Sequence, residues 1–392
     1  MLSKTYKRKN GLFVTCLWID GRRTAFSAKT KTASREKAEE AWLRLKKGQP
    51  LKDTADTLGE WIDQWMVLVL KASNRKRAIK PTTLAWYQRM IRVHIRPQLG
   101  DLKLAKLQWT HVQEWVNQLE DSKDPRTVHA AYSLLKRILA AAVPDRVPYN
   151  ACDDRKVSLT PKVAKEKVPM TAEQQDRFFA AADQSSLRVF YRTMFMLGLR
   201  KGEALGLKWS DIDRDAKDGA EIKIQRTVAS WHLDGEEYKT EFLEPKTAKS
   251  KRPLPLVPAL LKLLDAHRAA QERYRRHPVG KGKVVRMRQW EDHDLIFPSN
   301  RGTPIGESNV NRHMAKVLKA AGLPGDFHPH LMRHGTASEM LRRGASLKEV
   351  SEFLGHSQIG ITANLYGHVN QEQKRDAAQA MADHMAELGK VA

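Results

Sequence analysis

The sequence predicts a mainly α fold with small β-sheets, an α+β chain in several segments. Three observations lead there. Apolar residues recur at three- and four-residue spacing through most of the chain, which is the helical period. Alternating stretches flanked by turn residues occur only near the amino terminus and between about 220 and 256. Finally, 392 residues exceed what one hydrophobic core usually serves. The expected division is a sheet-plus-helix unit over 1–50, a helical domain over 52–150, a linker over 151–169 and a mixed domain over 170–392.

Apolar content of 41% suffices for globular folding, while 69 Lys and Arg against 45 Asp and Glu give a formal charge of +24. A small-metabolite enzyme rarely carries such an excess, which attracts nucleic acid or an anionic membrane. Membrane is the weaker choice. The longest strongly apolar run, 64–70, is far too short to span a bilayer, and Met1–Lys9 lacks the apolar stretch of a signal peptide. Cys16 and Cys152 are too few for a disulfide framework or zinc ribbon. They read as small buried apolar residues, and a reducing cytoplasm fits. The positive charge is not confined to one tail: residues 1–50 hold 13 basic against four acidic side chains, and 51–150 hold 16 against ten.

In the first segment Leu12–Ile19 reads as a strand, Asp20-Gly21 as a hairpin turn and Arg22–Ala28 as the returning strand. Ser34 is expected to cap a helix to about Lys47, with Ala38, Ala41, Trp42 and Leu45 on one face. Lys7, Arg8, Lys9, Arg22, Arg23, Lys29 and Lys31 sit on the strands and loops. A basic β-ribbon of this kind can enter a major groove.

The second segment reads as helical throughout. Leu58, Trp61, Ile62, Trp65, Leu68 and Val69 form one apolar face. Pro81 suits the first turn of the next helix, with Leu84, Tyr87, Ile91 and Ile95 inward. Thr110 is expected to cap a third helix, and Asp124-Pro125 to open a fourth reaching Ala142. The connection carrying Lys71, Arg75, Lys76, Arg77 and Lys80 suits phosphate contact.

In the third segment Thr171-Ala-Glu-Gln174 forms a capping box, followed by an apolar helix over Tyr191–Leu199. Ile222–Val228 and Arg252–Leu256 read as short strands, and Leu295–Pro298 as an extended break among helices. Ser346-Leu-Lys-Glu349 opens a helix with Val350, Phe353 and Leu354 in the core, closed by Gly355. Beyond Val369, an amphipathic terminal helix has Ala377, Ala380, Met381, His384, Met385 and Leu388 at helical intervals.

The chemistry concentrates near the carboxyl end. His330-Leu-Met-Arg333-His334, Leu354-Gly-His356 and Tyr366 combine a planar phosphate clamp, proton-moving imidazoles and a phenol able to attack phosphorus. In so basic a chain, this set points to phosphoryl transfer on DNA through a covalent protein link, with neither metal nor cofactor.

With Leu197-Gly-Leu-Arg200-Lys-Gly-Glu203 through Asp213, and Pro245-Lys246-Thr-Ala-Lys-Ser250-Lys-Arg-Pro-Leu-Pro-Leu256, those motifs occur in the order Arg, Lys, His-x-x-Arg, His, Tyr. The sequence thereby resembles the tyrosine recombinases of the phage integrase family. The likeness is strong over 170–370; 54–150 resembles the family's helical core-binding (SAM-like) domain, and 1–50 its arm-site domain. Met332 stands where leucine is usual, a volume-conserving change.

The resemblance assigns Tyr366 as nucleophile and Arg200 and Arg333 as clamps on the non-bridging oxygens. It makes His330 the base, His356 a phosphate hydrogen-bonder and Lys246 the acid for the departing 5′-oxygen. Lys249 and Lys251 are rivals to Lys246. Glu203 would buttress the arginine or histidine. Partners implied are double-stranded attachment-site DNA, a homotetramer on two synapsed duplexes, and a DNA-bending or directionality factor.

Two other classes fit parts of the sequence. His328, His330 and His334 crowd together, with the last two spaced as in zinc helices, but no Glu follows His330 as the zinc-protease pattern needs. An inactive DNA-binding or architectural protein of the same fold would match the charge but leaves the filled reactive positions unexplained. A type IB topoisomerase shares much of the chemistry, but the arm-like first segment favours a recombinase.

Overall fold

The computed structural model describes residues 2–19, 22–47, 49, 51, 55–73, 79–162, 169–245, 248–276, 290–355, 379 and 381–383. They form a mixed architecture of many helices and small antiparallel sheets, in two compact units. One comprises 1–164 with 232–237, the other 165–231 with 238–392.

In the first unit β1 (Tyr6–Lys7), β2 (Phe13–Ile19) and β3 (Arg22–Ala28) make an antiparallel sheet with Ile19 opposite Arg22. That register leaves two residues for the turn, as expected; Asp20 and Gly21 themselves lie outside the described residues. Helix α1 (Lys31–Lys46) packs on this sheet, but Thr30 caps it, its hydroxyl accepting from Ala33 N at 3.2 Å. Ser34 is instead buried inside the first turn, donating to Phe26 O at 2.9 Å and meeting Thr15 Oγ1 at 3.0 Å. Trp42, expected on the packed face, is instead exposed, and Lys46 Nζ lies 3.8 Å from its ring centroid. Cys16 and Cys152 are both buried and unbridged.

The same unit holds α2 (Leu58–Ser73), α3 (Pro81–Met90), α4 (Arg96–Leu99), α5 (Trp109–Glu120) and α6 (Pro125–Ala142). Thr57 and Glu60 cap α2 reciprocally. Trp61, Ile62, Trp65, Tyr87, Ile91 and Ile95 are in the core, but Leu68 is 53% exposed. Gln108, paired with His111, caps α5 in place of Thr110, whereas Asp124 caps α6 as expected.

Between α3 and α4 the helix widens into a π-turn, Ile91–Ile95. Pro97 has no N–H to return to the carbonyl one turn back, which favours such a widening. His94 O accepts from Trp115 Nε1 at 2.7 Å, a bond that pins α5 to the widened turn. Past α6 the chain stays with this unit: Ala151 and Cys152 are buried, and Val157 and Leu159 pack on the helical core. The expected linker is therefore structured in its first half.

In the second unit α7 (Ala172–Asp183), α8 (Arg188–Met196) and α9 (Lys201–Leu205) come first. Phe178, Phe190 and Tyr191 interlock edge to face at their centre. The single strand expected over Ile222–Val228 is two. β4 (Ile212–Asp213), β5 (Glu221–Ile224) and β8 (Arg252–Pro255) form one sheet, and β6 (Thr227–Trp231) pairs with β7 (Lys239–Leu243) in a hairpin. Glycine at 202 lets α9 lie against β6, since a Cβ there would meet Thr227 Oγ1 at 2.3 Å. Helices α10 (Pro258–Arg276), α11 (Glu307–Ala320), α12 (Pro329–Arg342) and α13 (Leu347–Leu354) follow. Ser346 and Glu349 cap α13, and Gly355 ends it at φ +67°, as the sequence predicts; Phe353 is partly buried. Of the expected terminal helix, only 379 and 381–383 are described. Among the described residues no helix is long and apolar enough to cross a membrane.

Candidate active site

Where α8 ends, Gly198 takes a left-handed turn at φ +58°. A Cβ there would come within 2.5 Å of Leu354 Cδ2 and 3.3 Å of Thr336 Cγ2, so glycine satisfies both the turn and the close approach of α12 and α13. The turn delivers Arg200 to the amino end of α9, with Glu203 three residues on. The Glu203 carboxylate accepts from Arg200 N at 3.1 Å and from its Nη1 at 2.6 Å.

Glu203 is buried, and two further arginines surround it. Arg333, from α12, has Nη1 at 3.9 Å, and Arg252, from the start of β8, has Nη2 at 3.3 Å. Arg333 is only 1% exposed; it donates to Gly198 O at 2.9 Å and to Leu354 O. Thr336, one turn along α12, holds Phe195 O, fixing α12 against α8.

Among the described residues the charge balance is lopsided: three guanidiniums face one carboxylate. Burial pushes the Glu203 carboxyl up, but Arg252, Arg200 and Arg333 together outweigh it and hold its pKa below the ordinary value. Burial also lowers Arg252 from its usual value, partly offset by Glu203, yet a guanidinium stays charged at any working pH. An unbalanced, pre-placed cluster of this kind suits an anion that gains charge as it reacts.

The same three arginines meet the carbonyl end of α13. Arg252 Nε donates to Phe353 O at 2.7 Å, Arg333 to Leu354 O, and Arg200 Nη2 to Gly355 O at 3.3 Å. Three successive carbonyls at the negative end of a helix are thus each met by one guanidinium. His356 is the next residue in the chain.

His330 is exposed on the first turn of α12, one turn before Arg333. Its ring meets the buried His334 edge-on at 4.7 Å and stacks on His328 at 6.4 Å. Among the described residues no group of three or more His, Cys, Asp or Glu is arranged to hold a metal. Arg200, Glu203 and Arg333 therefore come together, with His330 on the helix that carries Arg333. Lys246, His356 and Tyr366 lie outside the described residues.

Sequence reasoning missed Arg252. Its signal was available: alternation along Arg252-Pro-Leu-Pro turns Arg252 and Leu254 to the same buried side, and a buried arginine calls for an acidic partner. Among the basic residues considered for DNA contact, Lys7, Arg8, Lys9, Arg23, Lys29 and Lys31 are exposed and Lys80 is partly buried beside α3. Arg23 lies over the Tyr6 ring at 5.6 Å and Lys7 over Phe13 at 5.5 Å. The side chains of Arg22, Arg75, Lys76 and Arg77 fall outside the described set.

Residues 169–373 match the phage integrase family, and 57–120 match the N-terminal SAM-like domain of phage integrases. The chain is 32% identical over 372 residues to a tyrosine recombinase XerC-like protein of Caldanaerobacter subterraneus subsp. tengcongensis, covering 92% of each. In fold it is similar to the Tn1549 transposon integrase in complex with transposon right end DNA. That match has a TM-score of 0.64 at 19% identity and covers 83% of this chain and 99% of the other. It is also similar to a lambda integrase tetramer bound to a Holliday junction, with a TM-score of 0.56 at 19% identity, covering 92% and 94%.

Proposed function

This chain belongs to the phage integrase family, and we propose that it integrates or excises a phage or other mobile element through a 3′-phosphotyrosyl intermediate. It is a tyrosine-type site-specific recombinase, an enzyme that breaks and rejoins DNA. The observation that carries the finer reading is the guanidinium cluster around Glu203, which leaves net positive charge placed before any phosphate arrives.

In this reading the Tyr366 oxygen attacks phosphorus and its proton passes to His330. Arg200 and Arg333 hold the non-bridging oxygens as charge builds on the phosphorane, with His356 hydrogen-bonding the same group. The bond to the 5′-oxygen breaks, and that oxygen takes a proton from Lys246. One phosphodiester has become a phosphotyrosyl ester and a free 5′-hydroxyl, so no ATP is consumed and no metal is required. Attack by a 5′-hydroxyl from another duplex reverses the step and exchanges strands. Removing one such charge-stabilising donor typically costs about 10²–10³ in rate.

The partner is double-stranded DNA at an attachment site. Four copies on two duplexes carry out two successive exchanges, as the lambda integrase tetramer on a Holliday junction suggests. A DNA-bending or directionality factor sets the direction. The exposed basic residues of β1, β3 and the start of α1, with the stacked Tyr6–Arg23 pair, contact separate outer sites. The setting is the cytoplasm of a bacterial cell carrying the element.

A direct test uses a duplex nicked next to the junction between the encoding element and its chromosome. Incubation with excess chelator, followed by denaturing electrophoresis, is expected to give a protein–DNA adduct. An adduct that forms only when divalent metal is restored would overturn this reading.

A further inference from the structure

We propose that Arg252 is a positioning residue of strand cleavage, tying the carboxylate between the two clamp arginines to the helix end that leads into His356. This rests on the recombinase reading above and deepens it.

Arg252 Nη2 reaches Glu203 Oε2 at 3.3 Å, Nε reaches Phe353 O at 2.7 Å and Nη1 reaches Ser250 O at 3.1 Å. Those acceptors belong to α9, to the end of α13 and to the turn that follows Lys246. One buried, planar group therefore fixes three pieces of chain, each within a few residues in sequence of a residue of the proposed reaction: Arg200, His356 and Lys246. Its Nε, Nη1 and Nη2 each meet one of these protein acceptors. Arg200, by contrast, is 37% exposed at its side chain and can meet a phosphate.

The backbone around it is shaped to match. A Cβ at Gly355 would stand 2.9 Å from Arg252 Nη1 and 2.9 Å from Lys249 O, and φ there is +67°. The α13 end thus lies close against both the guanidinium and the hairpin turn. An ammonium at 252 would keep the charge but could not span three acceptors in a fixed fork. Among the described residues, the charged groups facing Glu203 are Arg200 from the start of α9, Arg333 from α12 and Arg252 from β8. Losing Arg252 removes one of the three positive neighbours found among the described residues while the carboxylate stays buried.

The test compares full-length wild type, Arg252→Gln and Arg252→Lys in single-turnover cleavage of the nicked duplex at saturating protein, across pH. Affinity for the same duplex is measured alongside. Arg252→Gln is expected to cleave about 10–100-fold more slowly, the usual effect of losing a group that orients reactive ones, while binding the duplex within about threefold of wild type. Its loss of rate on the acid side should begin at higher pH, because Glu203 then protonates more readily. Arg252→Lys should keep the wild-type acid side yet recover only part of the rate. If Arg252→Gln does not fold, Arg252→Lys decides alone, and full wild-type rate there overturns the proposal. So does Arg252→Gln cleaving within threefold of wild type, or losing cleavage and DNA affinity equally with no movement of the acid side. Tyr366→Phe on the same duplex tests the underlying reading separately. An adduct in that variant removes the nucleophile whatever Arg252→Gln does, whereas wild-type cleavage by Arg252→Gln removes only the positioning role.

Discussion

At the scale of single residues, the buried Glu203 decides most. Removing one member of a buried ion cluster leaves charge uncompensated and typically costs about 3–5 kcal/mol. Glu203→Gln is therefore expected to lower stability by that order at neutral pH, measured by denaturant unfolding. The pH dependence has a definite sign. The folded pKa of Glu203 lies below its ordinary value, so its contribution is complete above the unfolded carboxyl value and fades as pH falls through the folded one. The gap between wild type and Glu203→Gln should narrow on acidification below about pH 4; a gap unchanged down to pH 3 would contradict the ion-pair account. Arg200, Glu203 and Arg333 were legible as spaced motifs because each sits in a recognisable run. Arg252 was not, because its role follows from burial at the start of a strand beside the end of a helix 101 residues further on.

At the scale of elements, the site depends on how α8, α12 and α13 approach one another at Gly198. Gly198→Ala would force an L residue into the left-handed region, about 1–2 kcal/mol, and push on Leu354 Cδ2 at 2.5 Å. The expected result is a thermal midpoint lower by several degrees, with slower cleavage because Gly198 O anchors Arg333. An unchanged midpoint would show that α13 can move aside freely. Elements with strong local chemistry were readable: the Ser346 box, the Asp124 cap, the hairpin register and the Gly355 terminus. Those decided by distant partners were not. The N-cap of α1 shifted to Thr30 because Ser34 is taken by Thr15 and Phe26. The π-turn before Pro97 and the outward Leu68 likewise depend on how neighbouring helices pack, which periodicity alone does not encode.

At the scale of the whole molecule, the charge of +24 is spread over every segment, and DNA affinity should fall steeply with salt. The log–log slope is about −0.9 per phosphate neutralised. A chain lacking residues 1–50 is expected to bind with a visibly shallower slope if its basic sheet meets DNA; an identical slope would remove that segment from the interface. Periodicity and charge led to the expectation of a sheet-plus-helix unit, a helical body and a mixed domain, whereas 1–164 with 232–237 form one compact unit and 165–231 with 238–392 the other. The structured course of residues 151–162 was not, since it comes from Ala151, Cys152, Val157 and Leu159 packing onto the helical core.

The most direct measurement is to trap the adduct on a nicked duplex labelled on either side of the break, digest it and locate the linked peptide by mass spectrometry. The nucleotide is expected on Tyr366, joined through the 3′-phosphate with a 5′-hydroxyl released. A link to any other residue, or through a 5′-phosphate, would contradict it.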